Sequence, residues 1–433
     1  RPTPPLRSTP VSLSSNAFHI KFARSHLLRL ISLFHTRRAQ QEARVAESMA
    51  SMADSNPSPA APAPNRTRRR PSLPIIGGLL LILVPVLISV VVNDPNGFDP
   101  APLPADYSFS ASLAVVDRHD RILASSKRVG EGRLPGPEDL AYDKARGFLY
   151  TGCSDGWIRR VSLKDEKMEV EDWAYVGGRP LGVALGPGGD LVVAESNNGL
   201  MIVKPDQSVA MLTDEADGLR FRLTDGVDVA SDGLIYFTDA SYKFNLDTHI
   251  LDILEGRPHG RLMSFDSSTN QTSVLLRDLY FANGVSLLPD QRSLIFCETT
   301  LRRCRRYHIQ GEKRGTVDEF IQNLPGFPDN VRYDGEGHYW IALAAGKTPE
   351  WDVVLKYPFL RKLMVTIEKF VKIPHSQRDS GILKVDLDGQ PVALFSDPGL
   401  TLATSGLKIG KHLWYGSLVK DYLSRIDLTQ VSR

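Results

Sequence analysis

Three cysteines in 433 residues are too few to staple a scaffold, so a buried core must carry the stability. Cys153 stands alone. Cys297 and Cys304 flank a short turn, where a bridge and two buried free thiols both suit the spacing. Excess charge of either sign is also lacking. Lysine and arginine number 52 against 50 acidic residues, a formal net of +2, and this excludes a global basic field for nucleic acid. One apolar run stands out in an otherwise mixed chain. Residues 73–92, LPIIGGLLLILVPVLISVVV, hold 20 uncharged positions. At helical rise that is about 30 Å, enough to cross a bilayer core, and Pro85 is tolerable there.

The flanks of this run differ in charge. Arg66, Arg68, Arg69 and Arg70 precede it, whereas residues 93–107 carry Asp94, Asp99 and Asp106 and no lysine or arginine. That asymmetry predicts a cytosolic N-terminus and a lumenal or extracellular remainder, in the endoplasmic reticulum, the vacuole or at the plasma membrane. The exit VVVNDP has no small-residue cleavage pattern, so an uncleaved signal anchor is expected rather than a signal peptide. Residues 1–48 lack methionine and are poor in acids. They read either as a transit-like segment or as an untranslated leader before Met49 or Met52. Residues 1–72 as a whole, with a Pro/Ala/Ser tract at 53–64, are predicted to be a disordered cytosolic segment. Residues 93–106 read as a Pro-rich spacer. Two glycosylation sequons occur, Asn65-Arg66-Thr67 on the cytosolic side and Asn270-Gln271-Thr272 on the lumenal side, so Asn270 is the expected acceptor.

From about Tyr107 onward a repeat emerges. A Gly/Asp-rich turn, a short apolar strand, a small or acidic residue and a second strand recur six times, as in SDGLIYFTDAS and EGHYWIALAAG. Thr151, Val193, Phe237, Phe296, Ile341 and Tyr415 occupy the matching position, at intervals of 42, 44, 59, 45 and 74 residues. A period of about 40–50 residues is that of a β-propeller blade. The prediction is an all-β, six-bladed β-propeller over 107–433, with helical insertions in the two long intervals and one transmembrane helix before it. The first insertion, 244–257, has mixed helical character. In the second, 348–374, Leu360, Leu363, Met364, Ile367, Phe370 and Val371 fall at helical spacing with basic residues between them. That amphipathic helix is a cap with its apolar face inward, a lid over a site, or a second membrane contact.

Propeller loops converge on a central channel, so oxygen-bearing turns far apart in sequence can meet. Glu138 in GPEDLAYD, Asn283 in FANGVSLLPD and Asp329-Asn330 in LPGFPDNVRYDGEGHYW each stand near the start of an inner strand. Asp225, in Leu223-Thr224-Asp225-Gly226, is a further addition. Asp, Asn and Gly favour turns for backbone reasons alone, but a shared blade position points to a hard-cation site suited to calcium and to polarising a carbonyl.

Residues 107–428 resemble the strictosidine synthase-like family, within the propeller superfamily of paraoxonases and gluconolactonases. They are most similar to its membrane-anchored branch, which includes adipocyte plasma membrane-associated protein. The carrying stretches are GPEDLAYD, GRPLGVALGPGGDL, GLIYFTDASYKF, FANGVSLLPD, CETTLRRCRRYHIQGEKRGT and LPGFPDNVRYDGEGHYW. The resemblance implies a catalytic Ca2+ held by Glu138, Asn283, Asp329 and Asn330, with Thr224 where the family has a further asparagine. A paraoxonase-type histidine base is absent, because Arg179-Pro180-Leu181-Gly182 and Ala194-Glu195 fill the matching loops. Glu195 or Asp225 is the substitute base. Residues 402–408, LATSGLK, lack the glutamate of true strictosidine synthases, which argues against amine–aldehyde condensation. The expected function is calcium-dependent hydrolysis of a small-molecule ester or lactone. The rivals are a binding or scaffold propeller with a structural calcium, and the condensation reaction.

Overall fold

Short β-branched runs separated by glycine- and aspartate-rich turns have one stable outcome, antiparallel strands stacked face to face. The computed structural model describes residues 97–368 and 377–430, and there the runs form six sheets of four or five strands. The inner strands of blades 1 to 6 are Ala141–Asp143, Pro180–Leu185, Thr224–Val229, Ala282–Leu287, Gly326–Tyr333 and Ala403–Ile409. Strand order within blades 1 to 4 is sequential. Blade 6 takes its outermost strand, Lys127–Val129, from before blade 1, paired antiparallel with Leu423–Asp427. Blade 5 gains a fifth, parallel strand, Asp117–Asp120. These exchanges tie the two ends of the domain together and cover edges that would otherwise be open.

The six repeat positions inferred from sequence all lie in second strands, and most are fully buried. Each blade-to-blade interface is an apolar layer. Tyr150 and Ile158 meet Val183 and Val193 between blades 1 and 2, and Val227 and Phe237 meet Val192 and Ala194 between blades 2 and 3. The series closes where Leu407 and Trp414 of blade 6 pack on Leu140 and Leu149 of blade 1. Cys297 and Cys304 face each other across two strands of blade 4 and form a disulfide, so this domain folds in an oxidising compartment. Asn270 is exposed at a turn of blade 3, open to a glycan.

The insertions are helical. Helix α1 is His249–Glu255; the second insertion forms two helices, α2 (Pro349–Lys356) and α3 (Pro358–Glu368). The spacing predicts one continuous amphipathic helix there; Tyr357 and Pro358 break it, because proline supplies no backbone N–H. The buried face of α3 also differs from the expected stripe. Arg361, Val365 and Thr366 are inside and Ile367 is outside, since the Arg361 guanidinium donates to the carbonyls of Leu254 (2.9 Å) and Ala101. Phe370 and Val371 lie outside the described residues, as does the anchor at 73–92. Among the described residues no helix is long and apolar enough to cross a membrane. The stretch taken as a spacer is packed from Phe98 onward, with Phe98 buried against Phe244, Leu254, Trp351 and Leu355.

Inside the channel, Arg332 of blade 5 is the plug. Its Nε donates to Asp139 Oδ1 at 2.9 Å, its Nη2 pairs with Asp139 Oδ2, and its Nη atoms reach the carbonyls of Val227 and Val183 at 3.0 Å. One buried guanidinium thus links blades 1, 2, 3 and 5. Replacing it by Arg332→Met leaves the fully buried Asp139 without its cation, a change that costs about 3–5 kcal/mol. Urea unfolding of the variant against the parent chain is expected to show that loss.

Candidate metal centre

Strand register explains which side chains reach the axis. Val183, Val227, Val285, Val331 and Gly406 pair with Val193, Phe237, Phe296, Ile341 and Tyr415. Extending the Ala141–Tyr150 pairing by one residue sets Leu140 opposite Thr151 in blade 1. Two residues earlier on each inner strand stand Glu138, Leu181, Asp225, Asn283, Asp329 and Thr404. All six line a single pocket. Each blade therefore supplies one residue to an axial ring, and four of the six carry carboxylate or amide oxygens.

The glycines that follow Asp225 and Asn283 make the ring tight. A Cβ on Gly226 would meet the Asn283 carbonyl at 2.8 Å, and one on Gly284 would meet Asn330 Cα at 2.6 Å. Only glycine lets neighbouring inner strands approach so closely. One oxygen from each of Glu138, Asp225 and Asp329 then lies within 4.8 Å of the others. Glu138 and Asp225 are buried, whereas Asp329 opens into the pocket. Asn330 donates its Nδ2 to Glu138 Oε1 at 2.7 Å, and the hydroxyls of Thr404 and Ser405 hold the Glu138 carbonyl at 2.7 and 2.6 Å.

The electrostatics are lopsided. Burial, then the charge of Asp329, raises the Glu138 carboxyl well above its ordinary value, against the pull of Arg179. Asp225 is raised for the same two reasons. Burial pushes Asp329 up to about 8, while a hydrogen bond with Asn283 opposes the shift. The ion pair of Arg332 is made with Asp139 and not with a member of this cluster. Glu138 Oε2, Asn283 Oδ1 and Asn330 Oδ1 are buried without a protein partner among the described residues. An all-oxygen donor set with orphaned acceptors and surplus negative charge fits a hard divalent cation.

The pocket above the ring encloses about 750 Å3, including space open to solvent, and its wall is apolar. Leu223, Phe281 and Phe327 come from the blades, Ile250 and Ile253 from α1, and Trp351 from α2. His249 lines it as well, with Nδ1 at 2.6 Å from the Leu246 carbonyl. No loop pattern flags His249 in the sequence, because it lies in an insertion outside the repeat. Leu181 and Thr404 were missed too, although counting two residues back from each repeat partner finds them.

Two expectations land elsewhere. Glu195 does not line the pocket. Its Oε1 accepts from Arg179 N (2.6 Å) and its Oε2 from Asn198 N (2.6 Å) and Asn197 N (3.2 Å), so it pins a loop. Asp239 and Glu298 stand at the same register in blades 3 and 4 and hold the amides of Leu223 and Tyr280 in the same way. This acid is a structural element of the repeat. Thr224 is buried with its hydroxyl unpartnered among the described residues, but it sits one residue before the ring position. Asp225 occupies that position, and belongs with the oxygen ring rather than with a separate base.

An acidic oxygen ring at the axis of a six-bladed propeller defines the class of protein, and solved structures share the architecture. A gluconolactonase from Xanthomonas campestris covers 76% of this chain and 98% of its own at 16% identity, TM-score 0.52. Regucalcin from Agrobacterium tumefaciens, described as a calcium-binding protein, covers 72% and 95% at 14% identity, TM-score 0.51. At these identities the likeness is one of fold. Family models described as strictosidine synthase and as strictosidine synthase-like, N-terminal, match residues 225–312 and 121–161. The Arabidopsis thaliana protein strictosidine synthase-like 6 is 50% identical over 351 residues, covering 80% of this chain and 94% of that one. Adipocyte plasma membrane-associated protein from Danio rerio is 35% identical over 340 residues, covering 71% and 79%. The chain belongs to the strictosidine synthase-like family.

The raised carboxyls set a pH dependence. Without metal, Asp329 keeps its proton in the folded chain up to about pH 8, whereas the unfolded chain loses it near pH 4. The unfolded state then binds fewer protons across that window, so the site's contribution to stability falls as pH rises from about 4 to 8. A bound cation removes the need for those protons. The calcium-induced rise in melting temperature is therefore expected to be larger at pH 8 than at pH 5, read from thermal melts with calcium and with chelator.

Proposed function

We propose that this protein is a calcium-dependent hydrolase of small carboxylic esters or lactones. The observation that carries the reading is the convergence of three carboxylates at the floor of an apolar pocket, where their mutual repulsion and burial outweigh the pull of Arg179 on Glu138. Glu138, Asp225, Asn283 and Asp329 would hold Ca2+, with Asn330 orienting Glu138. Calcium, when bound, supplies the Lewis-acid charge that polarises a substrate carbonyl. The Leu223, Phe281 and Trp351 side chains receive the acyl or aryl part of the substrate and thin out water around the reacting carbonyl. His249 is the titratable pocket residue outside the carboxylates among the described residues. With its Nδ1 proton on the Leu246 carbonyl, its lone pair sits on Nε2, the tautomer for accepting a proton from water. A regucalcin described as calcium-binding and a gluconolactonase among the structural neighbours suit this reading.

A binding propeller with a structural calcium is the second reading. It is favoured by Glu195, the carboxylate expected as base, being fully engaged by loop amides. Condensation of the strictosidine synthase type has no such support, since blade 6 contributes Thr404 to the ring and no acid. In either case residues 73–92 anchor the chain in an endomembrane or the plasma membrane. The disulfide-bonded, Asn270-glycosylated domain then stands on the lumenal or extracellular side.

Hydrolysis of a panel of aryl esters and lactones tests the assignment. Asp329→Ala and chelation are each expected to lower turnover on the order of 100-fold or more, as loss of a metal's charge stabilisation does. His249→Gln is expected to lower kcat while leaving calcium-induced stabilisation intact. Stabilisation by calcium with no turnover of any substrate by the parent would move the protein to the binding class.

A further inference from the structure

The helical wall of the pocket has a second face that is left exposed among the described residues. Helix α2 turns Trp351 and Leu355 inward, but Val353 is 51% exposed and Tyr357, which follows the helix, is 42% exposed. Helix α3 turns Arg361 and Val365 inward and leaves Phe359 63% exposed, with Ile367 also outside. Lys356 is exposed among these groups, its ammonium 5.7 Å from the Tyr357 ring. Val419 is exposed as well, directly after Leu418, which lines the pocket. Apolar and aromatic side chains with a lysine among them, on a short amphipathic helix pair, are the composition of an interfacial segment.

The chain itself indicates what covers this face. Phe98 is buried with Phe327, Trp351 and Val365, of which Phe327 and Trp351 also line the pocket. Asp99 N donates to Glu255 Oε1 at 2.7 Å and Ala101 N to the Glu255 carbonyl at 2.9 Å, fastening the incoming segment to α1. Arg361 of α3 donates to the Ala101 carbonyl from the other side. The incoming segment is therefore stitched to the helices that wall the pocket. The apolar run ends at Val92, six residues before Phe98, and six residues extend at most about 20 Å. With the proposed anchor at 73–92 in a bilayer, at most that length of chain separates its end from Phe98.

We propose that the exposed face of α2 and α3 docks on the lipid surface beside the anchor, so that the pocket draws a lipophilic ester or lactone from the bilayer. The substrate half of this inference rests on the hydrolase reading, and the docking half does not. Both are tested on the full-length chain reconstituted in phosphatidylcholine–phosphatidylserine vesicles. For docking, Phe359→Trp is compared with Met211→Trp, a control on the exposed outer strand of blade 2. Parent emission is subtracted and brominated phosphatidylcholine is the quencher. Quenching several-fold stronger at 359 than at 211 is the expected result, and equal quenching at both overturns docking. Emission at 359 that ignores brominated lipid but shifts with protein density puts a second copy on this face, and also overturns it. For the substrate, the Val353→Ser/Phe359→Ser double variant is expected to hydrolyse a vesicle-embedded long-chain ester about tenfold more slowly, with turnover of a soluble short-chain aryl ester unchanged. Equal effects on both esters overturn bilayer capture. A parent chain that cleaves neither ester overturns the hydrolase reading and the substrate half with it, while the quenching result still decides docking.

Discussion

Three carboxylates held within 4.8 Å of one another, two of them buried and Asp329 open to the pocket, are the constraint around which the domain is arranged. At an effective dielectric near 20, each ionised pair repels by about 3 kcal/mol. Such a ring persists only if its members keep protons or share a cation. The surrounding architecture suits the second condition. Six inner strands deliver one side chain each, and Gly226 and Gly284 remove the Cβ atoms that would hold the strands apart. Glu138 Oε2, Asn283 Oδ1 and Asn330 Oδ1 are left buried without a protein partner among the described residues. A single strand slip would turn each ring side chain to the other face, so the apolar layers between blades also hold the site in register.

Below the ring, Arg332 and Asp139 close the channel, and the separation of the two charge groups matters. A guanidinium shared with the ring would neutralise it and displace any cation. Arg332 instead makes its hydrogen bonds to Asp139 and to the carbonyls of Val183 and Val227. The plug thus stiffens the blades and leaves the field above it negative. Arg179, which does oppose the Glu138 charge, also donates to the Gly136 carbonyl at 2.7 Å and so holds the loop that carries Glu138.

Above the ring, the insertions convert a polar channel mouth into an apolar pocket. Helix α1 rests on a buried polar group in which Asp252 receives Ser241 Oγ at 2.5 Å and lies 2.9 Å from His259 Nδ1, while Glu255 binds Lys243 at 2.6 Å. Glu255 also receives the amide of Asp99. The pocket wall and the segment leading into the domain therefore share one set of hydrogen bonds.

Local sequence determined much of this protein. Strand periodicity, the blade interval and the six matching positions followed from alternation and turn residues, because those signals depend on neighbours within a few residues. Glu138, Asn283 and Asp329 were legible for the same reason, each sitting at a fixed offset from a repeated strand. Tertiary structure decided what depends on register and on partners distant in sequence. It brought Asp225 into the ring in place of Thr224, gave Glu195 to loop amides, and set Arg332 against Asp139 across 193 residues. It also brought His249 and Trp351 from two insertions onto one pocket. A side chain's type fixes which bonds it can make, but only the packed blades fix which partner lies within 3 Å of it.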